Sequence, residues 1–203
     1  MIATYIELLR HGEATGGRRY RGSLDDPLTT KGWNEMHHAL RDDARWTRIV
    51  SSPLSRCRDY AEHLAQRKKL PVRIDPRLRE IHFGEWEGKT AEELLRVDNE
   101  RIQDFWRNPE GAPPPRGEPL DAFQARVLDA WEELIGCEPG DSVLVITHAG
   151  VMRIILGQVL GLPLPVALQF GIPHAHRVRM QLKDFEKRIF DCELPDRQGP
   201  DTC

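Results

Sequence analysis

Four residues suited to holding a phosphate fall at three similar junctions. Arg10-His11 closes the apolar run Thr4–Leu9, Arg56 follows five residues after the short run Arg48–Ser51, and His148 directly follows Ser142–Thr147 (SVLVIT). Two guanidiniums and two imidazoles in one crevice would repel each other unless something strongly negative belonged among them. A phosphate dianion meets that requirement. An imidazole beside two arginines is also pushed toward its neutral form, which is the nucleophilic one. Gly12, next to His11, is expected to let the backbone approach the phosphate closely. Transfer of a phosphoryl group to a histidine leaves an alkoxide that needs a proton, and a carboxylic acid at the rim is the natural donor.

Metal chemistry is the competing use of histidines. His11-Gly12-Glu13 has the H-x-E form of a zinc deaminase, but that signature requires a P-C-x-x-C partner that the chain lacks. His174-Ala175-His176 are near neighbours with no further ligand spaced to complete a site. No metal and no other cofactor is expected.

The elements that must position these groups follow from periodicity. Strand-like runs alternate with helix-like ones, the pattern of an α/β fold with a mainly parallel sheet. Thr4–Leu9, Arg48–Ser51, Val72–Ile74, Ser142–Thr147 and Arg177–Leu182 read as strands. Residues 29–42, with Thr29 or Thr30 as cap and Trp33, Met36 and Leu40 in register, read as a helix, as do Leu120–Leu134 and Val151–Leu160. Ser52-Pro53 reads as a helix start, Ser as cap and Pro in the first position, followed by the stripe Leu54, Cys57, Ala61 and Leu64. Thr90 and Glu93 form a capping box. Residues 108–119 (NPEGAPPPRGEP), with five prolines and two glycines, form a surface loop inside a single domain spanning 1–203. In a parallel sheet the carboxyl ends of the strands share one edge, so the three junctions converge there beside helix N-termini that already favour anions.

Composition removes other classes. The 203 residues carry a net charge of −3, which gives no reason to expect nucleic acid or an anionic membrane as partner. No apolar run approaches the roughly 18 residues that cross a bilayer. The first residues enter a strand pattern at once, leaving no room for a signal peptide. Cys57, Cys137, Cys192 and Cys203 include no C-x-x-C pair and read as free thiols of a reducing cytoplasm.

In combination, L-L-R-H-G-E (8–13), S-S-P-L-S-R-C (51–57), L-R-E-I-H-F-G-E-W-E-G (78–88) and I-T-H-A-G-V-M-R (146–153) resemble the motifs of the histidine phosphatase superfamily, also called phosphoglycerate-mutase-like. The resemblance runs over nearly the whole chain. It implies a three-layer α/β/α fold and metal-independent hydrolysis of a small phosphate monoester. In that reading His11 takes the phosphoryl group, Arg10, Arg56 and His148 cradle it, and Glu80 serves as acid and then base. Within the family, residues 16–29, the H-F-G-E-W-E-G form and F-W-R-N-P followed by a proline-rich G-E (105–118) are similar to bacterial α-ribazole phosphatases of the cobalamin pathway. That similarity implies α-ribazole 5′-phosphate as substrate. A phosphoglycerate mutase, a phosphatase of sugar phosphates or bisphosphates, and an inactive phospho-ligand-binding scaffold are the alternatives, and a homodimer is left open. Gly17 and His174 stand where relatives often carry asparagine. The segment Gly16–Arg21 and the loop 108–119 are expected to wall the pocket, with Arg18, Arg19, Tyr20, Arg21 and His174 at the substrate rim.

Overall fold

Successive side chains of a strand point to opposite faces of its sheet. Along Thr4–Arg10 (β1) and Ser142–Thr147 (β4) both faces are apolar. Ile6, Leu8, Val143 and Val145 enter one core, while Leu9, Leu144 and Ile146 enter a second. Such strands belong inside a sheet that helices cover on both sides. The computed structural model describes residues 4–41, 46–136, 138–184 and 189–192, and has that architecture. Its sheet also contains Arg48–Ser51 (β2), Val72–Ile74 (β3), Arg177–Asp184 (β5) and Ile189–Cys192 (β6), in the order β3-β2-β4-β1-β5-β6. The first four are parallel; β5 runs antiparallel to β1, and β6 antiparallel to β5.

One face is covered by Thr30–Ala39 (α1) and Ser55–Lys68 (α2), through Met36, Cys57, Tyr60, Ala61 and Leu64. The other is covered by Ala91–Val97 (α3), Asn99–Arg107 (α4), Leu120–Ile135 (α5) and Ala149–Leu160 (α6), with the short Leu164–Ala167 (α7) at its margin. The sheet is therefore mainly parallel and three-layered, as the sequence implies.

Element boundaries differ in places. The helix expected over 29–42 spans Thr30–Ala39: Thr29 is its cap, accepting from the Gly32 amide, and the backbone leaves the helical region at Leu40. The helix expected from Val151 starts two residues earlier, at Ala149, directly after His148. Strand β6 is an addition to the expected set. The Thr90–Glu93 capping box is present with both of its hydrogen bonds. Cys137 and Cys203 lie outside the described residues, whereas Cys57 is a buried free thiol. The loop 108–119 has no helix or strand and leans on the 3₁₀ turn Gly84–Trp86, Pro115 accepting from the Glu85 amide and Glu118 donating to His82. Among the described residues, no helix is long and apolar enough to cross a membrane.

Candidate active site

Strands β2, β4 and β1 are neighbours, so their carboxyl ends deliver Ser52, His148 and His11 to one place. The ladders run one residue beyond the strands to fix these groups: His11 N–H donates to Thr147 and Ser52 N–H to Ile146, both at 3.0 Å. The imidazoles of His11 and His148 meet edge-on, 5.2 Å between centroids.

His11 is 4 % exposed, and its Nδ1 lies 2.7 Å from the Gly12 carbonyl. A carbonyl only accepts, so Nδ1 carries the proton and Nε2 keeps its lone pair. Burial, reinforced by the guanidiniums of Arg56 and Arg10, holds the pKa well below the usual histidine range. The ring is thus neutral, of defined tautomer, and nucleophilic at Nε2.

His148 is fully buried, and burial followed by Arg56 holds it neutral as well. Arg56 Nε donates to its Nδ1 at 3.3 Å, because a guanidinium can only donate. The proton therefore sits on Nε2, which donates to Ser52 Oγ at 2.7 Å. Cys57 packs beneath this ring with Sγ 3.7 Å from Nε2, and burial pushes its thiol up to about 12. Arg56 itself is 1 % exposed; its two terminal nitrogens donate to the carbonyls of Leu24 and Gly22 at 2.6 and 2.8 Å. Three of its five N–H groups are so engaged, which fixes the plane of the fork and leaves two for an anion. Arg10, half-buried, donates from Nη1 to the Ile172 carbonyl.

Glu80 approaches from the segment after β3. Its Oε2 accepts from the Gly150 amide, at the start of α6, at 3.2 Å, and its Oε1 from its neighbour Ile81 at 3.1 Å. A Cβ on Gly150 would meet Oε1 of this carboxylate and displace it from its present position. Arg126, on α5, donates to the carbonyls of Arg77, Arg79 and Glu80 and to the Glu118 carboxylate, holding the segment in place. A neutral nucleophilic imidazole, a fixed guanidinium fork and a carboxyl group consequently share one edge of the sheet.

Two expectations from the sequence need correction, the Ser52-Pro53 helix start and Tyr20 at the rim. Ser52-Pro53 does not start α2: the helix begins at Ser55, and the Ser55 amide is capped at 2.6 Å by Asp25 from the distant 22–28 segment. Ser52 is instead a partner of His148. Glycine at position 12 has a structural reason as well: a Cβ there would collide with the Gly32 carbonyl of α1, where two backbones approach closely. Tyr20 is not on the rim. It is 2 % exposed, edge-on to Phe83 and Trp86, with its hydroxyl accepting from Trp106. Arg19 and Arg21 both bind the Asp26 carboxylate, and Arg21 also donates to the Thr15 and Gly17 carbonyls, which braces their loop, while the Arg21 charge is felt at Arg56 and His174.

Arg18 is exposed, and His174 stands 5.8 Å, centroid to centroid, from His11. Burial and Arg10 lower the His174 pKa to about 4. Ser52, Asp25, Arg126 and Gly150 are the residues that sequence reasoning missed. Only Gly150, following His148 at a helix start, carried a local signal. Among the described residues, no group of three or more His, Cys, Asp and Glu side chains is placed to hold a metal ion.

Comparison with known proteins places these features in context. Residues 6–192 match the family model of the histidine phosphatase superfamily (branch 1). The chain is 31% identical over 160 residues to the adenosylcobalamin/alpha-ribazole phosphatase of Salmonella typhimurium, covering 77% of this chain and 79% of that one. It is 30% identical over 184 residues to a probable phosphoglycerate mutase GpmB of Yersinia enterocolitica, covering 88% and 80%. Among solved structures, Bacillus stearothermophilus YhfR superposes with a TM-score of 0.83 at 30% identity, covering 95% of this chain and 96% of that one.

Proposed function

Because the chain belongs to the histidine phosphatase superfamily, we propose that it hydrolyses a small phosphate monoester through a phosphohistidine on His11. The observation that carries this reading is the tautomer of His11: the Gly12 carbonyl accepts from Nδ1–H, so Nε2 keeps its lone pair beside the guanidiniums of Arg56 and Arg10. Nε2 attacks phosphorus in line as the P–O bond to the alcohol breaks. The free donors of Arg56, together with Arg10, stabilise the charge on the transferring oxygens. Glu80 supplies the proton that the departing oxygen needs, then removes one from the water that attacks the phosphohistidine and returns His11 to its starting state. His148 exchanges its Ser52 bond for a phosphoryl oxygen when substrate enters.

The substrate we infer is α-ribazole 5′-phosphate, supported by the name of the Salmonella relative and by the resemblance of residues 16–29 and 105–118 to bacterial α-ribazole phosphatases. A second reading, a phosphoglycerate mutase, is favoured by the equal similarity to the Yersinia protein. A reducing, cytoplasmic setting belongs to the same proposal, in keeping with the buried free thiol of Cys57. The test is a turnover screen of the purified protein on α-ribazole 5′-phosphate, phosphoglycerates and sugar phosphates. Fastest release of inorganic phosphate from α-ribazole 5′-phosphate is the expected result. Interconversion of phosphoglycerates without phosphate release would replace it with the mutase reading.

A further inference from the structure

Glu87 lies in the segment 78–88 that carries Glu80, yet no step of the reaction uses it. Its side chain is 11 % exposed, and donors surround it. Oε1 accepts from the Ser23 amide at 2.7 Å and from the Phe83 amide at 3.1 Å, and the Ser23 hydroxyl donates across both oxygens, at 3.0 and 2.9 Å. A carboxylate is drawn out of water in this way only where charge-assisted bonds compensate it. The Phe83 bond anchors the carboxylate to its own segment, and the Ser23 bonds reach across to the loop that follows Arg21. Ser23 sits between Gly22 and Leu24, whose carbonyls receive the two terminal nitrogens of Arg56. Asp25, the next residue, caps α2, the helix that carries Arg56. Residues 22–25 are therefore gripped between Glu87 and the start of α2. Gly22 shows how close that grip is: its φ is 52°, and a Cβ there would collide with Glu87 Oε1 and come within 2.9 Å of the Ile81 carbonyl.

Resting on the reading of Arg56 as a phosphate-holding group, we propose that Glu87 is a positioning residue that aims the Arg56 fork: by fixing Ser23 it fixes the two carbonyls that orient the guanidinium. An arginine side chain has many rotamers, and carbonyls select one of them only if they are themselves held. Residues 22–25 belong to no helix or strand, so that hold has to come from side chains, and Glu87 supplies it at both polar groups of Ser23. Without it, the peptide units on either side of Ser23 turn more freely, and the N–H groups that Arg56 keeps for an anion turn with them. The effect works through Arg56 and not through the proton of Glu80. It therefore falls on the phosphoryl group, whatever alcohol departs.

The experiment measures the dissociation constant of inorganic phosphate by calorimetry, and kcat/KM on an alkyl phosphate and on p-nitrophenyl phosphate. Glu87→Ala should weaken phosphate binding about tenfold and lower kcat/KM about 10²-fold on both esters alike, the effect of a misaimed group rather than a missing one. Glu87→Gln keeps an oxygen for both amides and should recover activity to within about threefold of wild type. Ser23→Ala, which retains the backbone bond, should weaken phosphate about threefold, and it carries the test if thermal melts show that Glu87→Ala is unfolded. In an Arg56→Ala background, adding Glu87→Ala should lower kcat/KM on p-nitrophenyl phosphate by less than about threefold, because the group it positions is gone. Equal losses in both backgrounds, a loss confined to the alkyl ester, or phosphate affinity unchanged in the folded alanine variants would each overturn the assignment. Phosphate affinity is read whether or not His11 accepts the phosphoryl group, so the failure of that reading is seen separately, as absence of phosphohistidine in a wild type that binds phosphate.

Discussion

Two buried imidazoles that stay neutral make the protein's stability depend on pH in a calculable way. His11 and His148 are 4 % and 0 % exposed, and both are held well below 6.5 by burial and by Arg56. In the unfolded chain each titrates near 6.5. Below that value the unfolded state binds more protons than the folded one, so stability falls as pH falls. Each ring that stays neutral while pH drops from about 7 to about 5 contributes a loss of about 1.9 kcal/mol, or about 4 kcal/mol for the pair. That is a large share of a typical folding free energy of about 5–15 kcal/mol. The acids whose pKa values are depressed, Asp75 and Asp26 among them, lose their contribution only below their own unfolded values near 3.8. Glu7, whose pKa burial raises, acts with the opposite sign and His174 with the same one, and both are common to the two proteins compared below. The assay is urea unfolding followed by circular dichroism at both pH values, in wild type and in His11→Asn/His148→Asn. The wild type should lose about 4 kcal/mol more than the double variant over this interval. Equal losses would refute the claim that these rings are buried neutral, and with it the state of the nucleophile.

Three further outcomes follow from the site. Glu80→Gln should lower kcat/KM on an alkyl phosphate by about 10²- to 10⁴-fold, and by much less on p-nitrophenyl phosphate, whose phenolate leaves unprotonated; parallel leaving-group plots would remove Glu80 from the acid's role. Ser52→Ala strands the buried Nε2–H of His148 and should destabilise the fold by about 1–3 kcal/mol, read by urea unfolding, with inorganic phosphate recovering more stability than in wild type as it takes over that donor. Gly12→Ala should destabilise by about 3 kcal/mol or more, because the added methyl group drives β1 and α1 apart at the Gly32 carbonyl; a melting temperature unchanged from wild type would contradict that packing.

The sequence made the site's frame legible where the signal was local. The ends of β2, β3 and β4, the Thr29 cap and the Thr90–Glu93 box are decided by neighbouring residues and stand where periodicity and capping rules put them, while β1 and β5 run on to Arg10 and Asp184. The convergence of His11, Arg56 and His148 needed only the further rule that parallel strands share an edge. The misreadings fall where a distant partner overrides a local preference. Ser52 has the local signature of a helix cap, but His148, 96 residues away, claims its hydroxyl, and Asp25 takes over the cap. Tyr20 sits among arginines in sequence, yet Phe83 and Trp86 bury its ring. Arg126 holds the Glu80 segment from a helix whose pattern marks it only as a solvated position. Glu80 was legible through its resemblance to a family motif; no local pattern distinguishes it from other charges near a strand end.

The central claim is covalent chemistry at one nitrogen, and the direct measurement is a rapid-quench experiment with ³²P-labelled substrate. His11 Nε2 should carry label that survives alkali and is lost in acid, the behaviour of a phosphoramidate, with formation and decay matching turnover. His11→Ala, folded as judged by circular dichroism, should trap none. Label retained in that variant, or located by peptide mapping on any residue other than His11, would contradict the account.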